Sequence, residues 1–328
     1  MYVEAAAVAT SNMPIRQEIQ MKPILRRYSG NPIVTAKDFP PEAGIKHVFN
    51  SGAIKWGKKY IMACRVEDAA LRPKMWIADS TDGYHFVPRP KPVLVPDDDP
   101  EFAEYTAGMY YDPRVTEIDG TFYLLHAAHS SHSCRLSLLT TKDFDKFNWL
   151  GFISEPDNRN GVLFPEKIKG SYARLDRPNT GEKMGDIWIS YSPDLIYWGR
   201  SRCVMRNSQV RWAWSKIGPG APPIKTPEGW LNIFHGVRTQ CVQHYVYQLG
   251  VSLLDLEDPS KVIAQAKEAI LEPEEMYELI GQTPSVVFTS GAVVEDNGEV
   301  KVYYGGADTV QCVATTTIDE LLHACKHR

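Results

Sequence analysis

Residues 113–125 read Pro-Arg-Val-Thr-Glu-Ile-Asp-Gly-Thr-Phe-Tyr-Leu-Leu, which is an apolar run, an Asp-Gly turn and an aromatic-rich run. Asp119-Gly120 predicts a β-hairpin, because a type I′ turn needs positive φ at both central residues. Asn297-Gly298 gives the same signal near the other end of the chain. Similar units recur at 51–63, 165–175, 222–234 and 290–304.

The fold predicted from these five units is an all-β, five-bladed β-propeller, since further strand pairs follow the units and give about four strands each. Two β-sandwiches would explain the alternation equally well, but not five similar hairpins. We predict an N-terminal arm at 1–30 and one catalytic propeller domain at 31–328. Helical patterns occur at 259–270 and in a short C-terminal helix at 318–326.

Composition excludes several functional classes. Apolar residues make up 43% and charged residues 23% of the 328 residues, with a net charge of −4. No apolar run reaches the roughly 18 residues of a membrane span, and the first ten residues do not resemble a signal peptide. Neither nucleic acid nor a membrane is therefore expected as a partner. Six scattered cysteines without a CxxC pair favour a reducing compartment, and we predict a cytoplasmic location.

Polar residues at the starts of the repeats are candidates for a functional site, because the innermost strands of a propeller line one central funnel. They are Asn50, Ser51, Asp112, Arg159, Asn160, Lys216 and Asp308. A single aspartate at such a position is commonly a turn cap. The set, rather than any one member, carries the prediction.

The motifs that carry a family resemblance are spread over all five repeats. They are Asn50-Ser51, Arg65, Tyr111–Val115, Asp157–Asn160, Phe164–Ile168 with Arg177-Pro178, and Gly305–Asp308. From about Asn31 to the C-terminal helix, the chain resembles the β-mannoside phosphorylases of glycoside hydrolase family 130, and most of all the mannooligosaccharide phosphorylase branch. The resemblance implies a five-bladed propeller and reversible phosphorolysis with inversion, which releases α-mannose 1-phosphate.

The resemblance also assigns residue roles. Asp112 is the implied catalytic acid, which in this family is thought to protonate the leaving oxygen through the 3-hydroxyl of the sugar. The implied substrate-binding residues are Asn50, Ser51, Arg65, Tyr111, Lys216 and Asp308. The implied phosphate-binding residues are Arg159, Asn160, Arg177, Lys216 and His235.

The residue types agree with that chemistry. An inverting hydrolase needs an acid and a base, whereas a phosphorylase needs an acid and cations that hold the anionic nucleophile. Surface arginines often pair with carboxylates instead, and Arg177 precedes Pro178 in a turn-like stretch. Hydrolases of the resembled family lose part of the basic set, whereas this sequence keeps all of it. The resemblance therefore favours phosphate over water as the nucleophile.

The predicted activity is that of a hexosyltransferase acting on β-1,4-mannooligosaccharides or mannosyl-N-acetylglucosamine. The alternatives are a β-1,2-mannooligosaccharide phosphorylase, an inverting β-mannoside hydrolase and a sugar-binding propeller without catalysis. Inorganic phosphate is the expected co-substrate, and no cofactor is expected. No metal site is predicted, because the spacing of His126, His129 and His132 does not place three imidazoles on one face. A homo-oligomer is compatible with the sequence.

Overall fold

The computed structural model describes residues 23–94, 104–105, 109–180, 183–241 and 244–327. It is an all-β, five-bladed propeller with a short C-terminal helix, as predicted. In the described ranges, no helix combines the length and the apolar composition that a membrane crossing requires.

The blades follow one another along the chain as antiparallel sheets. Blade 1 contains β2 (Ile45–Trp56), β3 (Lys59–Asp68), β4 (Pro73–Ser80) and β5 (Val87–Pro92). Blade 2 contains β6 (Met109–Ile118), β7 (Thr121–Ser130), β8 (Ser133–Thr141) and β9 (Asn148–Phe152). Blade 3 contains β10 (Asn158–Leu163), β11 (Tyr172–Thr180), β12 (Lys183–Met184), β13 (Ile187–Ser192) and β14 (Gly199–Met205). Blade 4 contains β15 (Lys216–Pro219), β16 (Ile224–Thr226), β17 (Gly229–Gln240), β18 (His244–Leu254) and β19 (Val262–Gln265).

Blade 5 joins the two ends of the chain. It contains β20 (Val287–Val294), β21 (Glu299–Gly306), β22 (Val310–Thr317) and, outermost, β1 (Arg26–Arg27). Strand β1 comes from the segment that the sequence assigned to the arm, and it pairs in register with Ala314 and Thr315. Its two arginines also form ion pairs with Glu320 and Glu278. An edge strand from the other end of the chain therefore closes the ring.

The described residues also form two α-helices, α1 (Met276–Leu279) and α2 (Ile318–His327), and short 3₁₀ helices at Ala36–Asp38, Pro41–Ala43 and Asn207–Gln209. Helix α2 packs Leu321, Leu322 and Ala324 into the cluster between blades 4 and 5. The helix predicted at 259–270 is wrong, because β19 forms there and pairs with β18. Pairing with an existing sheet edge outweighs a helical pattern in so short a segment.

The core consists of five apolar clusters in the described residues, one at each contact between neighbouring blades. Between blades 1 and 2, for example, Ile61 and Ile77 pack against Leu124 and Leu139. Both faces of each sheet are thus covered, which explains strands such as β3 that are apolar on both faces. This packing holds the inner strands around one axis.

Candidate functional site

The innermost strands of blades 1, 2 and 3 share a local irregularity at predicted site residues. Each has a break in register, between Phe49 and Gly52 in β2, and at the equivalent places in β6 and β10. Within these bulges Asn50, Asp112 and Asn160 have φ of 50°, 52° and 58°. Positive φ is costly for residues other than glycine and concentrates at functional sites. A bulge redirects side chains that regular pairing would hold in the sheet.

Asp112 is held in place by groups from three directions. Its Oδ1 accepts hydrogen bonds from Arg65 Nη1 at 2.7 Å and from Asn50 Nδ2 at 3.1 Å. Its carbonyl oxygen accepts one from Arg114 Nη1 at 2.8 Å, and Arg114 also donates to the carbonyl of Gly220. Asp112 is 6% exposed. The carboxylate is therefore fixed at the wall of the funnel, bound on one oxygen by a cation and an amide.

Arg65 connects this carboxylate to a second acidic group. Its guanidinium lies over the rings of Phe49 and Tyr111, at 4.2 and 5.0 Å from their centroids. It also forms an ion pair with the buried Glu67, which accepts a hydrogen bond from Gln282 at 3.1 Å. Stacking and pairing leave Arg65 little rotational freedom, so it can orient Asp112.

Asp308 lies in the turn between β21 and β22 rather than on an inner strand, with φ of 50°. Burial raises its pKa to about 6, although the charge of Arg65 and a hydrogen bond with Thr283 oppose that rise. The negative charge of Asp112 also raises the pKa of Asp308, so the two carboxylates are close enough to interact. The structure thus brings together Asp112, Arg65 and Asp308.

Ser51 differs from the other predicted sugar-binding residues in its exposure. It is fully buried, its Oγ donates to the carbonyl of Phe49 at 3.4 Å, and its N–H donates to Gln311 Oε1 at 3.0 Å. In this structure its hydrogen bonds stay within the wall of the funnel.

Four basic side chains from blades 3 and 4 form a cation cluster, which we define as Arg159, Arg177, Lys216 and His235. Arg159 and Arg177 face each other across β10 and β11. Arg177 Nη1 lies 3.2 Å from His235 Nε2. Gly185 packs directly against two members of the cluster, because a Cβ there would lie 2.7 Å from Lys216 Cβ and 2.9 Å from Arg177 Cδ.

The cations of the cluster repel one another. Burial and the charges of Arg177 and Arg159 lower the pKa of Lys216 to about 8. Burial and the neighbouring cations also hold the pKa of His235 well below its ordinary value, so His235 is the neutral member of the cluster. Neither Arg177 nor Lys216 has an ion pair with a carboxylate of the described residues. Arranged positive charge of this kind is suited to an anion.

Arg159 differs from Arg177 and Lys216 because it forms an ion pair with a neighbouring carboxylate, that of Asp157. Its Nη2 donates to both oxygens of Asp157, at 2.8 and 2.9 Å. Burial raises the pKa of Asp157, but the hydrogen bond and charge of Arg159 outweigh it and lower the pKa overall. Asp157 therefore positions Arg159 and neutralises part of its charge.

Two amides of the site have buried oxygen atoms without a partner. Asn50 Oδ1 and Asn160 Oδ1 have no hydrogen-bond partner among the residues that the structure describes. Unsatisfied buried polar atoms are rare in native proteins and need an explanation. Asn50 Oδ1 faces Gly305, since a Cβ there would clash with it, so this oxygen is enclosed by the wall of the funnel.

Sequence reasoning missed two tyrosines in the third strand along the main sheet order of blade 4. Tyr245 and Tyr247 in β18 hold Lys216 Nζ over their rings, at 5.1 and 5.3 Å from the centroids. Burial raises the pKa of Tyr247 to about 12, although the charge of Arg177 opposes the rise. The alternation Tyr-Val-Tyr at 245–247 was the available signal, since it places both rings on one face.

Comparisons with known proteins agree with this arrangement. The family model described as beta-1,4-mannooligosaccharide phosphorylase, glycoside hydrolase family 130, matches residues 16–327. The chain is 33% identical to the beta-1,4-mannooligosaccharide phosphorylase of Ruminococcus albus, over 97% of this chain and 96% of that protein. It is 36% identical to the 1,2-beta-oligomannan phosphorylase of a Thermoanaerobacter species, over 90% and 98% of the two chains. The solved complex of the Listeria innocua beta-1,2-mannobiose phosphorylase with beta-1,2-mannobiose superposes with a TM-score of 0.82 at 31% identity, over 92% and 99% of the two chains.

Proposed function

The chain belongs to glycoside hydrolase family 130, and from that premise we propose that it is an inverting β-mannoside phosphorylase. The reaction transfers a mannosyl group from a β-mannoside to inorganic phosphate and gives α-mannose 1-phosphate. Phosphate is the co-substrate, and the proposal includes no cofactor.

The observation that carries the proposal is the unequal charge of the two sides of the funnel. One side holds Asp112, bound by Arg65 and Asn50. The other side holds the cation cluster, of which Arg177 and Lys216 have no described carboxylate partner. Water as nucleophile would need a base, whereas these cations suit a nucleophile that is already an anion.

In the proposed step, a phosphate oxygen bound by the cation cluster attacks the anomeric carbon from the face opposite the leaving group. The bond between that carbon and the glycosidic oxygen breaks with its electron pair on the oxygen. Asp112 supplies the proton that this oxygen takes up, and the family resemblance routes it through the 3-hydroxyl of the mannosyl unit. Asn50, Arg65 and Asp308 hold the sugar hydroxyls, while Ser51 and Tyr111 stay predicted contacts.

β-1,4-Mannooligosaccharides are the first proposed substrates, with mannosyl-N-acetylglucosamine as a further candidate. β-1,2-Linked oligosaccharides are the second candidate class, since the matched relatives include phosphorylases named for that linkage. The cytoplasmic location and the homo-oligomer remain predictions.

The deciding experiment incubates the protein with β-1,4- or β-1,2-mannobiose, with and without phosphate at constant ionic strength. Proton and phosphorus NMR identify the first product and its anomeric configuration. We expect α-mannose 1-phosphate only when phosphate is present. Release of free mannose at the same rate without phosphate would replace the phosphorylase with the hydrolase alternative.

A further inference from the structure

A cleft of about 610 Å³ lies between blades 2 and 3, and we call it the lateral cleft. One wall is the connection from β9 to β10, residues 152–158, and the other is the face of blade 3 formed by β11, β13 and β14. It reaches from Asp157 and Asn179 to the turn between β13 and β14. Its volume is in the range of pockets that bind organic ligands.

Aromatic side chains line much of this cleft. They are Phe152, Trp188, Tyr197 and Trp198. Tyr197 is 75% exposed, and Arg174 lies over the Trp198 ring at 4.3 Å. Rings that combine an apolar face with a polar edge bind ligands that are themselves apolar on one face and polar at the rim. A pyranose ring has this character.

Polar groups at the base of the cleft supply hydrogen-bonding capacity. Arg174 and Asp176 form a buried ion pair at 2.8 Å. Asn158 bonds to Asp176 through its side chain, and its Oδ1 is buried without a hydrogen-bond partner in the described part of the chain. Asn158 is 8% exposed. Protein atoms enclose that oxygen, so it does not face the open cleft.

The lateral cleft and the cation cluster share one residue. Asp157 lines the cleft and holds Arg159 with both carboxylate oxygens. The mixture of one exposed ring, three partly buried rings, an ion pair and amides suits a neutral, polyhydroxylated chain better than a fully apolar ligand. The position beside the funnel suits a sugar chain longer than the disaccharide that is cleaved.

We propose that the lateral cleft is an accessory binding site for β-mannooligosaccharides, with Tyr197 as the main stacking platform. The choice of mannose rests on the proposed function. The sugar chain lies between blades 2 and 3, and no bond changes there.

The test measures binding of β-1,4- and β-1,2-mannohexaose by calorimetry without phosphate, so that no phosphorolysis occurs, and a two-site fit separates binding in the cleft from binding in the funnel. Tyr197→Ala removes the platform, and Ser201→Trp fills the cleft from the exposed outer strand β14. Each should weaken hexaose binding roughly three- to tenfold, the range expected for one aromatic contact. Tyr197→Phe keeps the ring and should bind like the wild type.

Turnover of mannobiose with phosphate should be the same in the wild type and all three variants, which shows that folding and the funnel are intact. Equal hexaose affinity in the wild type, Tyr197→Ala and Ser201→Trp would overturn the proposal, as would no measurable hexaose binding by the wild type. If the wild type does not turn over mannobiose, the proposed activity fails. Loss of hexaose binding in Tyr197→Ala and Ser201→Trp would then still support the cleft.

Discussion

Replacing Arg177 with glutamine removes one charge from the cation cluster and leaves a shorter, neutral polar side chain. A hydrogen bond to a charged group contributes about 1.5–3 kcal/mol. The apparent KM for phosphate should therefore increase by a factor between about 10 and 150. The KM for mannoside should change much less, because Asn50, Arg65 and Asp308 lie on the other side of the funnel. Since Arg177 has no described carboxylate partner, Tm should not fall.

The same substitution should also shift the pH dependence of phosphate binding, an effect that misfolding would not produce. The charge of Arg177 helps to lower the pKa of Lys216 to about 8, after burial as the larger cause. Without Arg177, that pKa should rise, and the pH above which phosphate binding weakens should move upward. Initial rates over a grid of phosphate and mannoside concentrations, from pH 6 to 10, measure both effects.

The matched control is Arg202→Gln, which removes an exposed arginine from the outer strand of the same blade. It should leave both KM values and the pH profile unchanged. A rise in the KM for mannoside alone, with the KM for phosphate unaffected, would show that Arg177 faces the sugar or the surface. The anion site would then have to be rebuilt around Lys216 and His235.

Three further predictions concern single groups. Asp112→Asn should lower kcat by about 10²–10⁴-fold with the fold retained, since the amide cannot donate the proton; a wild-type kcat would indicate that Asp308 is the acid instead. In wild type, the KM for phosphate should rise as Lys216 loses its charge above about pH 8, and Lys216→Arg should remove that rise. Asp308 favours folding in its neutral form, because burial raises its pKa from 3.8 to about 6. Its stabilising contribution is complete below pH 3.8 and is lost as pH rises through 6. Asp308→Asn should therefore raise the free energy of unfolding more at pH 8 than at pH 5, as measured by urea titration. The same substitution should weaken mannoside binding.

The fold could largely be predicted from local signals. The Asp119-Gly120 and Asn297-Gly298 turns, with flanking alternation, identify hairpins whose repetition predicts the five blades. The C-terminal helix followed from its apolar spacing, and the structure confirms it as α2. The segment at 259–270 failed because strand pairing is decided by a neighbour in space, here β18.

Residue identity alone predicted which side chains are able to bind an anion or carry a proton, since charge and hydrogen-bonding capacity belong to the residue type. Their assembly depends on tertiary structure. Ring closure through β1 and Ala314 fixes the axis, and the axis brings Arg65 against Asp112 and Arg177 against His235. These pairs are separated by 47 and 58 residues. The pKa of Lys216 near 8 likewise arises only when burial and other cations surround the amine, because desolvation and Coulomb repulsion act through space rather than along the chain.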